Sequence, residues 1–296
     1  MKKISTKMPY QSHYQEVLGS KIHYIDEGKG DPIIFLHGMP TSSYLWRNII
    51  SQLAGIGRCI APDLIGMGKS SKPDIPYRIF DHIQYIETFI SALSLHNITF
   101  VLHGWGSVIG FYYASRNEKN IKGLAFYEAQ VKPILEWEKL SLPIQQLASL
   151  LQDRKASYKA VIEENYFIEK LLPRAVLREL KPEEMRHYRE PFQTPKSRKV
   201  LWQFVLDRPF GDGRDEVTDL IAKYSRWLQK TSLPKLLMYS IPGFITTVAT
   251  VNWCKENFPN LTLVDLGDGL HFIQETNPSA FGKTLEKWYQ EIKRKL

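Results

Sequence analysis

Seven short apolar runs alternate with longer amphipathic stretches along this 296-residue chain, and no other feature constrains the fold as strongly. Runs of this length that are bounded by turn residues predict buried strands, and the amphipathic stretches predict helices. Strand followed by helix, repeated, predicts an α/β fold with a mostly parallel, twisted sheet and helices on both faces. The predicted strands are residues 21–26, 32–36, 59–63, 98–102, 123–127, 235–239 and 261–266.

One predicted helix follows Asp81. Ile83, Ile86 and Ile90 recur there at helical spacing. We expect Asp81 to cap this helix and Gln84 to occupy the capping-box position three residues later.

Residues 131–213 interrupt the alternation of strands and helices. Helical patterns at 147–152 and 158–172 are separated by prolines, and no buried strand is evident. We therefore predict a core domain made of residues 1–130 and 214–296, with a helical cap, residues 131–213, inserted at the carboxyl edge of the sheet. A separate helical domain is less consistent with the sequence, because both flanks return directly to the sheet pattern.

Composition excludes several classes of protein. With 43% hydrophobic and 24% charged residues, the chain is too rich in core-forming side chains to be disordered. The net charge of +8 is scattered along the chain and clusters only at Lys293-Arg294-Lys295. We therefore expect neither a nucleic-acid partner nor a membrane partner.

The two cysteines, Cys59 and Cys254, are too few for a disulfide scaffold. Neither has the spacing to histidines that a metal site needs, so we expect no metal. A reducing, cytoplasmic setting fits best, and the N-terminus lacks the apolar run of an export signal. Residues 98–115 and 236–254 carry no Asp, Glu, Lys or Arg, but glycine and proline interrupt them, which favours strand, turn and helix over a membrane span.

The strongest chemical signal lies in residues 100–110, where a strand turns abruptly into a helix. Small residues such as Gly106 flank this nucleophile elbow, so that its middle residue, Gly104, can take strained dihedral angles above the sheet. Glu128 ends the next predicted strand, and His271 follows the last one. The order elbow, acid, histidine is typical of an α/β-hydrolase fold.

Other readings of the same region are weaker. The hydroxyl of Ser107 is a candidate to replace the missing nucleophile, but it lies three residues past the elbow, where a capping or packing role is expected. The glycines at 104, 106 and 110 miss the spacing of a dinucleotide-binding loop, and no cofactor is expected. His103 is interpreted as a brace for the turn.

Five motifs together resemble the haloalkane dehalogenases, in the branch that also contains Renilla-type luciferase. The similarity extends over nearly the whole chain. The motifs are His37-Gly38-Met39-Pro40-Thr41-Ser42-Ser43-Tyr44-Leu45-Trp46-Arg47, Asp63-Leu64-Ile65-Gly66-Met67-Gly68-Lys69-Ser70, His103-Gly104-Trp105-Gly106-Ser107, Tyr188-Arg189-Glu190-Pro191-Phe192 and His271-Phe272-Ile273-Gln274-Glu275.

This resemblance implies a reaction and a set of roles. In that family an Asp attacks the halogen-bearing carbon, a His-activated water hydrolyses the alkyl ester, and an Asn and a Trp hold the halide. Carried over, His271 is the general base, Glu128 its orienting carboxylate and Trp105 one halide donor. The nucleophile position holds Gly104 and the Asn position holds Met39. Glycine cannot form the ester, and a thioether cannot donate to halide.

The lid also departs from the family pattern. Trp202-Gln203-Phe204 stands where the family usually has Trp-Pro-Arg, and Ile241 replaces an acidic residue, which leaves Glu128 without a competitor as the acid. Trp202, Phe204, Leu206 and Phe210 are candidates to line the tunnel, although aromatic residues at such spacing are often plain core.

Three hypotheses follow from the lost nucleophile. The chain is a dehalogenase homologue that is inactive or strongly impaired, with a small hydrophobic molecule, halogenated or not, and a halide ion as its partners. Alternatively, it is a non-enzymatic binding or sensor protein that uses the same cavity, or an engineered nucleophile variant of an active dehalogenase.

Overall fold

The computed structural model describes residues 4–134, 136–208 and 215–295. Eight strands form one sheet in the order β1-β2-β4-β3-β5-β6-β7-β8. The pairs β1/β2 and β2/β4 are antiparallel, and every pair from β4 through to β8 is parallel, so the expected mostly parallel sheet is confirmed. The strands are β1 (His13–Val17), β2 (Ser20–Glu27), β3 (Pro32–Leu36), β4 (Arg58–Pro62), β5 (Ile98–Gly104), β6 (Ile121–Ala129), β7 (Lys235–Pro242) and β8 (Leu261–Gly269).

Strand β1 is missing from the sequence-based prediction. It pairs with β2 through a tight turn in which both Leu18 (φ +51°) and Gly19 (φ +71°) have left-handed backbone. Such a turn matches the twist of two antiparallel strands. At the edge of the sheet, β1 needs no continuous apolar run, and its residues are mostly exposed or half-buried.

Twelve α-helices lie in the described ranges. The helix predicted after Asp81 begins earlier than expected, because Asp81 is not its cap. Asp81 is the third helical residue, and its carboxylate accepts the backbone N–H of Arg78 at 2.8 Å. The helices are α1 (Arg47–Leu53), α2 (Ile79–Ala92), α3 (Trp105–Arg116), α4 (Leu142–Leu151), α5 (Arg154–Tyr158), α6 (Leu172–Arg174), α7 (Pro182–Arg189), α8 (Lys199–Leu206), α9 (Glu216–Leu228), α10 (Val248–Asn257), α11 (Ile273–Thr276) and α12 (Pro278–Lys295).

Helices cover both faces of the sheet, as two residues on opposite faces of the buried strand β6 show. A Cβ on Gly123 would lie 2.8 Å from the Trp288 side chain of α12. Phe126, which points to the other side of the strand, packs edge-on against Phe111 of α3 with ring centroids 5.2 Å apart. The two uncharged stretches therefore fold as β5–α3 and β7–α10, and none of the described helices is long and apolar enough to cross a membrane.

The described part of the predicted cap segment is mainly helical. Helices α4 to α8 and two π-helical turns, Lys159–Glu163 and Phe167–Leu171, lie within residues 136–208, and no strand occurs among the described residues of that range. The boundaries 131 and 213 stay a prediction, and residues 209–214 lie outside the described ranges.

A buried group of charges joins this segment to the core, and we call it the Arg47 cluster. Glu275 of α11 accepts from Arg47 at 2.5 Å and from Tyr188 at 2.5 Å. Arg178 donates to Glu275 at 2.8 Å and to Glu184 at 2.7 Å, and Arg47 also reaches Glu184 at 2.9 Å. Two arginines thus face two carboxylates, so the buried charges are balanced.

Candidate active site

The strand-to-helix turn between β5 and α3 has the geometry of a nucleophile elbow. Gly104 takes φ +52° and ψ −128°, a conformation that L side chains rarely adopt. Two neighbouring glycines are required by close backbone approach. A Cβ on Gly106 would lie 2.3 Å from the carbonyl oxygen of Leu36, and one on Gly38 would lie 2.9 Å from the backbone nitrogen of Trp105.

Glu128 is fixed at the end of β6 by the loop that follows β7. Its carboxylate accepts the backbone N–H groups of Phe244 (3.0 Å), Ile245 (2.6 Å) and Thr246 (3.1 Å). The same carboxylate lies 2.9 Å from Nδ1 of His271. The side chain is 1% exposed, and these hydrogen bonds replace those to water that the carboxylate loses on burial.

His271 follows β8 and faces the elbow. An ideal Cβ on Gly104 would lie 3.5 Å from its Nε2, while Nδ1 points to Glu128. The backbone around His271 is held from below. Tyr127 donates to the carbonyl of Leu270 at 2.5 Å, and His103 Nε2 lies 2.8 Å from the carbonyl of His271.

His103 fits the bracing role expected from the sequence. Burial, together with the neighbouring His271, holds the pKa of His103 well below its usual range. The ring is therefore neutral at physiological pH and donates one hydrogen bond to the turn that carries His271.

Ser107 lies behind the elbow and uses its hydroxyl for structure. It donates to the carbonyl of Gly104 at 2.6 Å and accepts the backbone N–H of Gln130 at 3.0 Å. The side chain is fully buried and does not line the cavity described next. This geometry agrees with the capping or packing role.

Four of the five candidate site residues meet at one cavity between the sheet edge and the helical segment: Met39, Gly104, Trp105 and His271. Glu128 lies behind His271. The cavity and the open solvent at its mouth together contain about 710 Å³ of space not occupied by atoms. Its other walls are mainly apolar and consist of Gln130, Ile144, Leu147, Ala148, Leu151, Phe167, Leu171, Phe204, Val205, Arg208, Phe244 and Ile245.

Only some of the residues predicted to line the tunnel reach the cavity. Phe204 lines the cavity and packs on Trp105 with ring centroids 5.0 Å apart. The prediction for Trp202 and Leu206 is wrong, because Trp202 packs edge-on against Tyr158 and Leu206 is 37% exposed on the surface. Helical periodicity gives no direction for such side chains until the helix is docked. Phe210 lies outside the described residues.

Sequence reasoning missed most of the cavity wall. Gln130, Phe167 and Arg208 contribute to it from three separate segments, and only tertiary structure brings them together. Among the described residues no group of three His, Cys, Asp or Glu side chains is arranged to hold a metal ion, and Cys59 and Cys254 are buried free thiols.

Comparison with known proteins places this geometry in a family. A family model for the α/β hydrolase fold matches residues 31–278. A haloalkane dehalogenase of Mesorhizobium japonicum is 38% identical over 279 residues, which cover 93% of this chain and 90% of the relative. A haloalkane dehalogenase of Agrobacterium fabrum is 37% identical over 274 residues, with 93% and 90% covered. The chain belongs to the haloalkane dehalogenase family.

Solved dehalogenase structures share the whole architecture. Haloalkane dehalogenase DbeA from Bradyrhizobium elkani has a TM-score of 0.93 and 33% identity, and the match covers 97% of this chain and 99% of that chain. The resemblance and the α/β-hydrolase fold expected from the sequence are both confirmed. This dehalogenase-family chain nevertheless carries no side chain at position 104 and a thioether at position 39.

Proposed function

We propose that this dehalogenase homologue binds a small apolar molecule, halogenated or not, and that it has lost all or nearly all of the halide-displacing activity of its family. One observation carries the proposal. The His271–Glu128 pair is assembled at 2.9 Å, yet the position that its Nε2 faces is Gly104, which has no oxygen to attack carbon.

The expected loss is large. Removing the nucleophile of a comparable triad costs roughly a factor of a million in turnover. Met39 also stands where the family has a hydrogen-bond donor, and the loss of one preorganised donor typically lowers turnover by a factor of about a hundred to a thousand.

Binding, in contrast, does not need the missing groups. The cavity walls are mainly aliphatic and aromatic, and burial of such surface stabilises an apolar ligand by about 25 cal/mol per Å². The few polar groups, Gln130, Arg208 and His271, are enough to orient it.

The test separates binding from turnover. The purified protein is incubated with 1-bromohexane and 1-iodohexane, free halide is measured by ion chromatography, and binding is measured by the shift in unfolding temperature. We expect binding without halide release above the protein-free rate. Halide release at the rate of ordinary family members would overturn the loss of activity.

A matched pair of variants locates the ligand. Leu147 lines the cavity, whereas Leu150, on the same helix α4, is 40% exposed. Leu147→Trp should fill the cavity and abolish ligand-induced stabilisation, and Leu150→Trp should leave it unchanged. Equal effects of the two substitutions would place the ligand elsewhere.

A further inference from the structure

The described wall of the cavity at Gly104 has hydrogen-bond donors and a positive charge but no carboxylate. Among the described residues, no Asp or Glu lines it, because the carboxylate of Glu128 is turned away to three backbone N–H groups and His271. A guanidinium, that of Arg208, does line it. A mainly apolar cavity with this charge pattern favours an anion.

Trp105 lines the cavity and carries two N–H groups of the kind that bind anions. The indole N–H has no protein acceptor within the described residues, although the side chain is only 8% exposed and lines the cavity. The backbone N–H belongs to the first residue of the twelve-residue helix α3, where no intrahelical acceptor exists and the helix dipole favours negative charge.

There is also room for the anion. An ideal Cβ on Gly104 would meet its nearest atoms at 3.5 Å (His271 Nε2), 3.6 Å (Gly38 Cα) and 3.7 Å (His271 Cε1). These are ordinary van der Waals distances, so the space beside His271 accepts one further carbon bonded to residue 104, and it opens on the cavity that Gly104 and His271 both line, where a free anion would lie.

We propose that a small free carboxylate, such as formate, enters this space and acts as the nucleophile in place of the missing side chain. The inference rests on the proposed function, since the cavity must also hold the haloalkane. One carboxylate oxygen supplies the electron pair of a new carbon–oxygen bond. The carbon–halogen bond breaks and its pair leaves with the halide, so haloalkane and formate give alkyl formate and halide.

The alkyl formate then has two fates. It leaves the cavity, or water attacks its carbonyl carbon while His271 Nε2 accepts the proton of that water. The second route gives formic acid and the alcohol from one ester and one water. Neither route needs an oxidant, a reductant or a metal.

The experiment uses the unaltered protein with 1-iodohexane and isotopically labelled formate. Iodide is measured by ion chromatography, and labelled hexyl formate and hexanol by gas chromatography with mass detection. We expect iodide release that saturates with formate and exceeds the protein-free rate by at least ~tenfold, because two held reactants gain far more than this from proximity. Acetate should give a smaller gain, and the branched pivalate none.

Two variants at the same position control the result. Gly104→Ala places a methyl group in the space and should abolish the response to formate, and its haloalkane binding is measured alongside by the shift in unfolding temperature. Gly104→Asp supplies its own carboxylate and should release iodide without formate. Because the left-handed backbone strains the alanine variant, the series from formate to pivalate on the unaltered chain tests the same space independently.

The outcomes distinguish the two proposals. Haloalkane binding without formate-dependent iodide release overturns the carboxylate inference and leaves the proposed function intact. Absence of haloalkane binding overturns the premise that both proposals share, namely that this cavity holds a haloalkane. An equal formate response in a folded Gly104→Ala protein overturns the inference as well, since the anion would then act away from Gly104.

Discussion

A Cβ built on Gly104 would lie 3.5 Å from Nε2 of His271, at an ordinary contact distance. The basic side chain is therefore positioned toward a residue that has no side chain. The elbow around it keeps the backbone conformation that places residue 104 above the sheet.

Restoring the carboxylate should restore the first chemical step. Gly104→Asp should form an alkyl-enzyme ester with 1-iodohexane, visible as a mass increase of one hexyl group on the intact protein, because the added atoms meet no close contact at Cβ. Adding Met39→Asn should raise turnover by about a hundred- to a thousandfold through one more donor. Gly104→Asn is the matched control and should give no adduct. A folded Gly104→Asp protein that never forms the ester would show that the rest of the cavity has diverged too.

Ser107→Ala should change stability rather than chemistry. The substitution leaves the buried N–H of Gln130 without its acceptor, which costs about 1–3 kcal/mol in the free energy of unfolding. Ser115→Ala on the same helix removes a single bond to the carbonyl of Tyr112 and should cost about 1 kcal/mol or less. Urea titration measures both. Loss of any residual halide release in a fully folded Ser107→Ala protein would instead identify Ser107 as a nucleophile.

Arg47→Leu should be the most destabilising of these substitutions. It leaves Glu184 and Glu275, each at most 1% exposed, without one of their two arginines, and breaking such a buried pair costs about 3–5 kcal/mol. Arg116→Leu breaks the exposed pair with Glu87 and should cost less than about 1 kcal/mol. Guanidinium unfolding compares the two, and a similar loss for both would contradict a special role of the Arg47 cluster.

His82 should make the protein sensitive to acid. Its ring is fully buried and stacked on Phe204, and burial, followed by the charge of His37, lowers the pKa of His82 to about 3. Between pH 6.5 and pH 3 the unfolded chain binds a proton that the folded chain does not, so stability falls as the pH falls through this window. One group contributes a slope of about 1.4 kcal/mol per pH unit.

Replacing this ring tests the slope directly. His82→Leu should make the loss of stability between pH 6 and pH 4 shallower by about 1 kcal/mol per pH unit. The exposed His96, replaced in the same way, provides the control. An unchanged slope in His82→Leu would assign the acid sensitivity to other groups, of which the buried His37 and His103 also have lowered pKa values.

Much of the fold was predictable because its signals are local. Short strand-forming runs bounded by turn residues are local signals, and all seven predicted runs are strands in the structure. The turn at Gly104 can be recognised from its flanking small residues. Glu128 and His271 can be recognised from their positions at the ends of strands. The edge strand β1 is not predicted because a partly exposed strand needs no continuous apolar run. The predicted start of α2 is too late, because Asp81 lies inside the helix and accepts the N–H of Arg78, the residue before it begins.

The rest depends on how the helices dock. Nothing in the periodicity of α8 distinguishes Phe204, which reaches the cavity, from Trp202, which does not. The Arg47 cluster joins residues separated by up to 228 positions, and no local pattern pairs them. Long-range pairing of this kind is decided by the whole topology.

The Arg47 cluster also sets a rule for exchanging parts between relatives. Glu275 stands four residues after His271 and accepts hydrogen bonds from Arg178 and Tyr188 of the helical segment. A transplanted helical segment would thus displace the loop that carries His271. Chimeras should take Arg47, the helical segment and residues 271–275 from one parent, because a graft that divides them would misalign His271 even where every chemical group is present.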